Sequence, residues 1–282
     1  MAKKRKIRTD RMLILIGIAA ALVLGLILVL KGCGQKKEET KPEETKTAET
    51  DQTQKEETPE ESKKPEKPEE PEEPKEPEID PETDPRFFDT DSLLVIANKK
   101  HRLPEGYVPS DLAYPEGVEM RYNTWSMRLE AAVAIEEMFA AAENEGVHLV
   151  MGSGYRGEDF QTTLYYGYVD SYGKETADAI SSRPGYSDHQ TGLATDLCGV
   201  DTAYDLTQEF EGTDEGKWLA AHAHEYGFIM RYPKDKEDIT GYSYEPWHFR
   251  YVGKEEAAKI YAAGADMTME EYYHISGGDY AD

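Results

Sequence analysis

Ser187-Asp188-His189-Gln190-Thr191-Gly192-Leu193-Ala194-Thr195-Asp196 is followed about fifty residues later by Glu245-Pro246-Trp247-His248. Each segment carries a histidine and at least one carboxylate. Gly192 stands where a chain leaving a loop can turn into a short strand over 193–197 that carries Asp196. A borderline-soft divalent ion such as Zn²⁺ takes three N/O protein ligands and one open position when it is catalytic. His189, Asp196 and His248 can supply those three. Glu245 is spaced i, i+3 from His248, and in an extended segment the two need not point the same way. It can then stand beside the ion, where the base that deprotonates water belongs. The competing reading is a pair of hydrogen-bonded His–carboxylate contacts at loop ends. On spacing alone both readings stay open.

The longer stretch 183–197, Arg-Pro-Gly-Tyr-Ser-Asp-His-Gln-Thr-Gly-Leu-Ala-Thr-Asp-Leu, resembles the S-x-H-x-x-G-x-A-x-D signature of the VanY-like zinc D-alanyl-D-alanine carboxypeptidases. Residues 245–253 resemble that family's E-x-W-H segment. Ser153-Gly154-Tyr155-Arg156, followed by Gln161, resembles its S-G-Y-R-x-x-x-x-Q element. Residues 98–112 also resemble the opening of the family's domain. The resemblance implies one Zn²⁺ on His189, Asp196 and His248, with Glu245 as general base. It implies that Arg156 grips the substrate's terminal carboxylate and polarises the scissile carbonyl, and that Ser187 and Gln161 add neutral hydrogen bonds. A guanidinium suits a terminal carboxylate because it binds bidentately and does not titrate away.

The implied reaction removes the terminal D-Ala of peptidoglycan stem peptides through a metal-activated water. An L,D-carboxypeptidase acting on the tetrapeptide shares all three motifs, and D,D-dipeptidase activity occurs on related folds. An inactive wall-binding module is the alternative of another class. The ligands and Glu245 are all present, which disfavours it. No G-x-S-x-G elbow accompanies the site, so a serine nucleophile is not expected.

The rest of the chain fits this setting. Lys3, Lys4, Arg5, Lys6, Arg8 and Arg11 face one acid, Asp10, and residues 12–30 carry no charge. Nineteen such residues make a helix of roughly 28 Å, close to the bilayer's hydrocarbon thickness. The basic flank places residues 1–11 in the cytoplasm and the remainder outside. An uncleaved signal anchor is expected, with lipidation at Cys33 disfavoured by Lys31. Residues 31–85 read as a disordered linker. From 35 on it is Glu, Lys, Pro and Thr with 20 acids and 9 lysines, too little apolar surface to offset ordering.

Residues 86–282 are the part able to build a core, a normal size for one domain. The whole chain has net charge −25, and about −20 of it falls here. Nucleic acid needs basic patches and is excluded as a partner. The expected partners are stem peptides ending in D-Ala and the membrane through the N-terminal helix. A monomer is expected, facing the wall of a bacterium, Gram-positive by preference. Two cysteines, Cys33 and Cys198, make no disulfide framework.

The fold class expected is α+β, a single zinc peptidase domain with a small antiparallel sheet flanked by helices. Strands are read at 147–151, 193–197, 228–232 and 247–252. Helices are read at 126–144 (through Leu129, Val133, Met138 and Phe139), 157–172, 174–180 after a break at Gly173, 214–226 capped by Asp214, and 254–263, with Thr268 capping a last turn. His222 and His224 face different directions and are not expected to share a metal.

Overall fold

The arrangement is set by where the chain's few alternating apolar segments can pair. A computed structural model describes residues 79–281. The expected cytoplasmic tail (1–11), membrane span (12–30), Cys33 and most of the linker lie outside these residues. Among the described residues no helix is long and apolar enough to cross a membrane.

Among the described residues, six short strands form two antiparallel sheets: β1 (Leu112–Ala113), β2 (Met127–Arg128), β3 (Val150–Ser153), β4 (Ala194–Cys198), β5 (Phe228–Met230) and β6 (His248–Tyr251). β1 and β2 pair alone, and the other four run in the order β3-β4-β6-β5. The expected strands thus form, with ends that differ by at most three residues. Leu93-Leu94-Val95-Ile96 forms no strand. Its carbonyls at Leu93 and Val95 instead accept from the Arg250 guanidinium, at 3.0 and 2.7 Å.

The helices are α1 (Leu129–Asn144), α2 (Glu158–Tyr172), α3 (Lys174–Ile180), α4 (Asp214–His222), α5 (Lys254–Ala263) and α6 (Met269–Tyr273), with one-turn helices at Pro85–Phe88 and Glu237–Thr240. Gly173, at φ 84, separates α2 from α3. Thr213 caps α4 through a hydrogen bond from Gly216, so Asp214 is the first helical residue, not the cap. Beyond His222 the helix tightens into a 3-10 turn, Ala223–Tyr226, and ends at left-handed Gly227. Thr268 and Glu271 close a capping box on α6.

α1 buries Ala131, Ile135, Met138 and Ala142, a stripe at i, i+4, i+7, i+11. Leu129 and Val133, expected on that stripe, are exposed instead. The stripe joins Leu197, Phe249 and Tyr251 of the sheet in the main core. Each fully buried side chain of that size contributes roughly 1.5–3 kcal/mol. A second core gathers Phe87, Ile96, Ile229, Ala257, Ile260 and Met269.

The folded part begins before Arg86, the expected boundary. Asp84 is buried and accepts from Arg86, and Glu82 accepts the Ser276 amide at 2.6 Å. Residues 81–85 share the linker's composition, yet these acids have specific partners in the fold.

Candidate active site and metal centre

The pairing of β4 with β6 sets Asp196 directly opposite His248. On the other side β3 carries an irregularity at Gly152, so that Ser153 rather than Gly152 stands opposite Asp196. Ser153, Asp196 and His248 therefore form one row across three strands. A side chain at Gly152 would meet Cys198 Sγ at 2.8 Å.

His189 comes from a 3-10 turn, Asp188–Thr191, that leads into β4. The turn is ended by Gly192 in the left-handed region, φ 72, where a Cβ would press on Arg128 and Pro109 at 3.0 and 3.1 Å. His189 Nδ1 donates to the Gly154 carbonyl at 2.9 Å. That bond fixes the tautomer and leaves Nε2 buried without a hydrogen-bond partner. Gly154 is required at that place, since a Cβ would fall 2.7 Å from the Ser126 carbonyl oxygen.

His189 Nε2 and His248 Nδ1 lie 3.4 and 3.5 Å from Asp196 Oδ1. One ligand atom from each of the three residues lies within 4.8 Å of the other two, and all three residues are buried. Tetrahedral zinc with bonds near 2.1 Å places neighbouring ligand atoms about 3.4 Å apart. The unpaired Nε2 and the two short separations fit such an ion. Asp196 Oδ2 is engaged elsewhere, accepting from Ser153 and, at 3.2 Å, from Arg156.

The second histidine is held from behind by Asp188, the residue next to His189 in the first motif. His248 Nε2 lies 3.4 Å from Asp188 Oδ2, which turns Nδ1 toward Asp196. A carboxylate behind a histidine in this way orients it for a metal. Asp188 also accepts from fully buried Arg250, and Arg231 Nε lies 3.9 Å away. Arg231 in turn makes two hydrogen bonds to Glu270, at 2.6 and 2.8 Å. Burial opposes the charge on Asp188, but Arg250, His248 and Arg231 hold its carboxyl well below the usual range.

Glu245 does not lie in an extended segment. Residues 245–248 form a turn closed by the His248 amide on the Glu245 carbonyl at 3.1 Å. Its carboxylate reaches 3.2 Å from His248 Nδ1. Burial pushes the Glu245 carboxyl up, against the pull of His248. Burial disfavours charge on His248 too, yet its bonds to Asp188 and Glu245 hold it up to about 9. His189 moves the other way, lowered to about 4 by burial and by Arg156. An ion on His248 Nδ1 would take the place of the proton there.

These side chains line a cavity of about 300 Å³. Arg156, Ser187, His189, Asp196, Glu245 and His248 all face it, with Trp247, Tyr232 and Tyr242 among its aromatic walls. Arg156 donates to Ser153 at 2.9 Å, and its Nε is buried without a partner. Gln161, expected to touch substrate, is not among the lining residues. Its Nε2 donates to Ser181 Oγ and the Ser182 carbonyl, at 3.1 and 2.8 Å, and so braces two residues that do line the cavity. Elsewhere, His224 stacks on Tyr261 and His222 pairs with Glu225, so they do not share a site.

Residues 124–254 match the model of the VanY family, D-alanyl-D-alanine carboxypeptidase. The putative carboxypeptidase YodJ of Bacillus subtilis is 44% identical over 190 residues, which cover 65% of this chain and 67% of that protein. The chain belongs to the VanY family. Among solved structures, the LdcB LD-carboxypeptidase is similar at TM-score 0.62 and 42% identity, over 67% of this chain and 89% of that one. The vancomycin-resistance D,D-pentapeptidase VanY, solved as a mutant with Zn(II), is similar at TM-score 0.53 and 32% identity, over 63% of this chain and 97% of that one. The metal cluster, Glu245 and Arg156 all fall within the stretch matched by the VanY model.

Proposed function

We propose that the chain is a zinc carboxypeptidase that hydrolyses the terminal D-Ala of peptidoglycan stem peptides. The observation that carries this reading is the buried, unpaired His189 Nε2 facing Asp196 and His248, beside a buried carboxylate and an arginine in one cavity. His189, Asp196 and His248 would hold the ion. Zinc there would act as a Lewis acid on the scissile carbonyl and lower the pKa of a water.

The chain's own residues do the rest. Glu245, raised by burial, takes a proton from the attacking water and delivers one to the leaving amine as the peptide C–N bond breaks. Arg156 presents its guanidinium to the substrate's carboxylate or to the developing oxyanion. Ser187, buried at the cavity wall, donates a neutral hydrogen bond to the peptide end. His248 keeps its orientation through Asp188, and His189 through the Gly154 carbonyl.

The second reading is L,D-cleavage, in which the single D-Ala of a tetrapeptide is removed. It is favoured by the greater likeness to LdcB, 42% identity and TM-score 0.62, than to the D,D-pentapeptidase. The test supplies the zinc-loaded chain with muropeptides ending in D-Ala-D-Ala and, separately, with tetrapeptides. Released D-alanine is followed by mass spectrometry. Release from the pentapeptide alone gives a D,D-carboxypeptidase, and release from the tetrapeptide alone the L,D enzyme. No release from either, with zinc bound, turns the reading to a wall-binding module.

We propose further that residues 12–30 anchor the chain as a single membrane span. The basic residues 1–11 would remain in the cytoplasm, with the catalytic domain outside as a monomer facing the wall. The charge pattern of the N-terminal residues supports this. Protease added to intact cells should remove the domain. Protection from it would reject the orientation.

A further inference from the structure

The C-terminal segment after α6 is docked rather than loose. Asn98 donates to the Ser276 carbonyl at 3.0 Å, and the Gly278 amide donates to the Ile239 carbonyl at 2.6 Å. The approach is close enough to exclude side chains. A Cβ at Gly277 would lie 2.3 Å from the Ile239 carbonyl oxygen, and one at Gly241 2.7 Å from that of Gly278. This crossing delivers Asp279 and Tyr280 to the far side of the active-site wall.

Tyr280 is held there from several directions. Its hydroxyl accepts the Arg183 backbone amide at 2.7 Å, and the Arg183 guanidinium lies 3.8 Å over its ring. Tyr186 meets the ring edge-on at 5.3 Å. Lys99, nearly buried, sits over the rings of both Tyr280 and Tyr242 and bonds to Asp279 at 3.2 Å. The Tyr280 and Tyr242 hydroxyls are 3.4 Å apart, and Tyr242 donates to Ser182 Oγ at 2.8 Å. Ser181, Ser182, Tyr242 and Ser187 line the cavity; Tyr280 itself does not. Arg183 and Tyr186 are the two ends of the turn between Ser182 and Ser187, closed by the Tyr186 amide on the Arg183 carbonyl.

We propose that Tyr280, outside the stretch matched by the VanY model, is a positioning residue for the substrate cavity: it clamps the Arg183–Tyr186 turn and with it the wall at Ser181, Ser182, Tyr242 and Ser187. The clamp sets how well the peptide's end is bound, not the chemistry at the metal. Its effect therefore falls on KM, because a wall that meets ground state and transition state alike changes binding without changing turnover. The inference rests on the carboxypeptidase reading for its kinetic form only.

The test compares the full chain with Tyr280→Ala and Tyr280→Phe. For Tyr280→Ala, KM for the D-Ala-terminated peptide is expected to rise about tenfold, with kcat within about threefold and zinc affinity unchanged. Tyr280→Phe keeps the ring and loses only the hydroxyl's bonds to the Arg183 amide and, at 3.4 Å, to Tyr242, so KM should rise only about threefold. Hydrogen exchange over residues 181–187 should quicken in Tyr280→Ala. An unchanged KM overturns the proposal, as does a parallel loss of kcat and zinc affinity, which would make Tyr280 a support of the metal centre or of the fold. If the wild-type chain releases no D-alanine, the carboxypeptidase reading fails separately. The clamp is then judged by exchange, and unchanged exchange at 181–187 in Tyr280→Ala overturns it.

Discussion

Asp188 Oδ2 lies 3.4 Å from His248 Nε2, so the residue immediately before one metal-site histidine orients the other. The two are sixty residues apart in sequence and meet in a fully buried place beside Arg250. Asp188→Asn keeps the shape and removes the charge. Loss of such an outer partner costs about 10–100-fold in metal affinity, and zinc titration against a competing chelator should show a drop of that size. Arg250 would also lose its buried counter-charge, a cost of about 3–5 kcal/mol that chemical denaturation would read.

Glu245 stands within reach of the site without belonging to the ligand cluster. Glu245→Ala should keep one zinc per chain while hydrolysis falls about 10²–10⁴-fold. His189→Ala should lose both zinc and activity. Near-normal turnover in Glu245→Ala would show that another group acts as the base.

Arg156 shares Asp196 Oδ2 with Ser153 and keeps a buried, unpaired Nε. Lysine supplies the charge but not the planar fork. Arg156→Lys is expected to lower kcat/KM about 10²–10³-fold, the cost of losing one donor to a developing oxyanion. Equal activity in the two enzymes would reduce Arg156 to a support for Asp196.

Metal should act on stability as well as on activity, because the three ligand residues are buried and one of them has a bare nitrogen. A ligand at about 1,000 times its Kd adds about 4.1 kcal/mol to the folded state. For a domain near 200 residues that is a rise of about 8–16 °C in Tm. Calorimetry with chelator and then with zinc measures it directly, and an unchanged Tm would count against a site at these residues.

Local signals were the legible ones. The break at Gly173, the helix over Lys174–Ile180, the helix over Lys254–Ala263 and the cap at Thr268 all form where periodicity and capping chemistry place them. The ligand set was legible through the family motifs and not through spacing, and the structure gathers it by a single strand pairing, Asp196 with His248. The buried chain Asp188–Arg250 and Arg231–Glu270 was not, since nothing local tells an arginine on a strand from one at the surface. Gln161 was misplaced for a related reason. Arg156 precedes helix α2, and the helix turns the Gln161 side chain inward, with Nε2 donating to Ser181 and Ser182. The apolar run from Leu93 to Ile96 is visible in the sequence, but the guanidinium that takes its carbonyls at Leu93 and Val95 is not.

The irregularity at Gly152 shows where the site depends on a count of residues as much as on their identity. Gly152 and Ser153 of β3 stand against the single partner position Asp196, so β3 could lose one residue there and still set Ser153 opposite Asp196. β4 has no such slack: side chains alternate faces along a strand, and one residue removed between Leu193 and Asp196 would turn Asp196 away from His248. Insertions and deletions in the exposed loops leave that phase alone. In β4 a single-codon deletion would dismantle the site while leaving every ligand in the sequence.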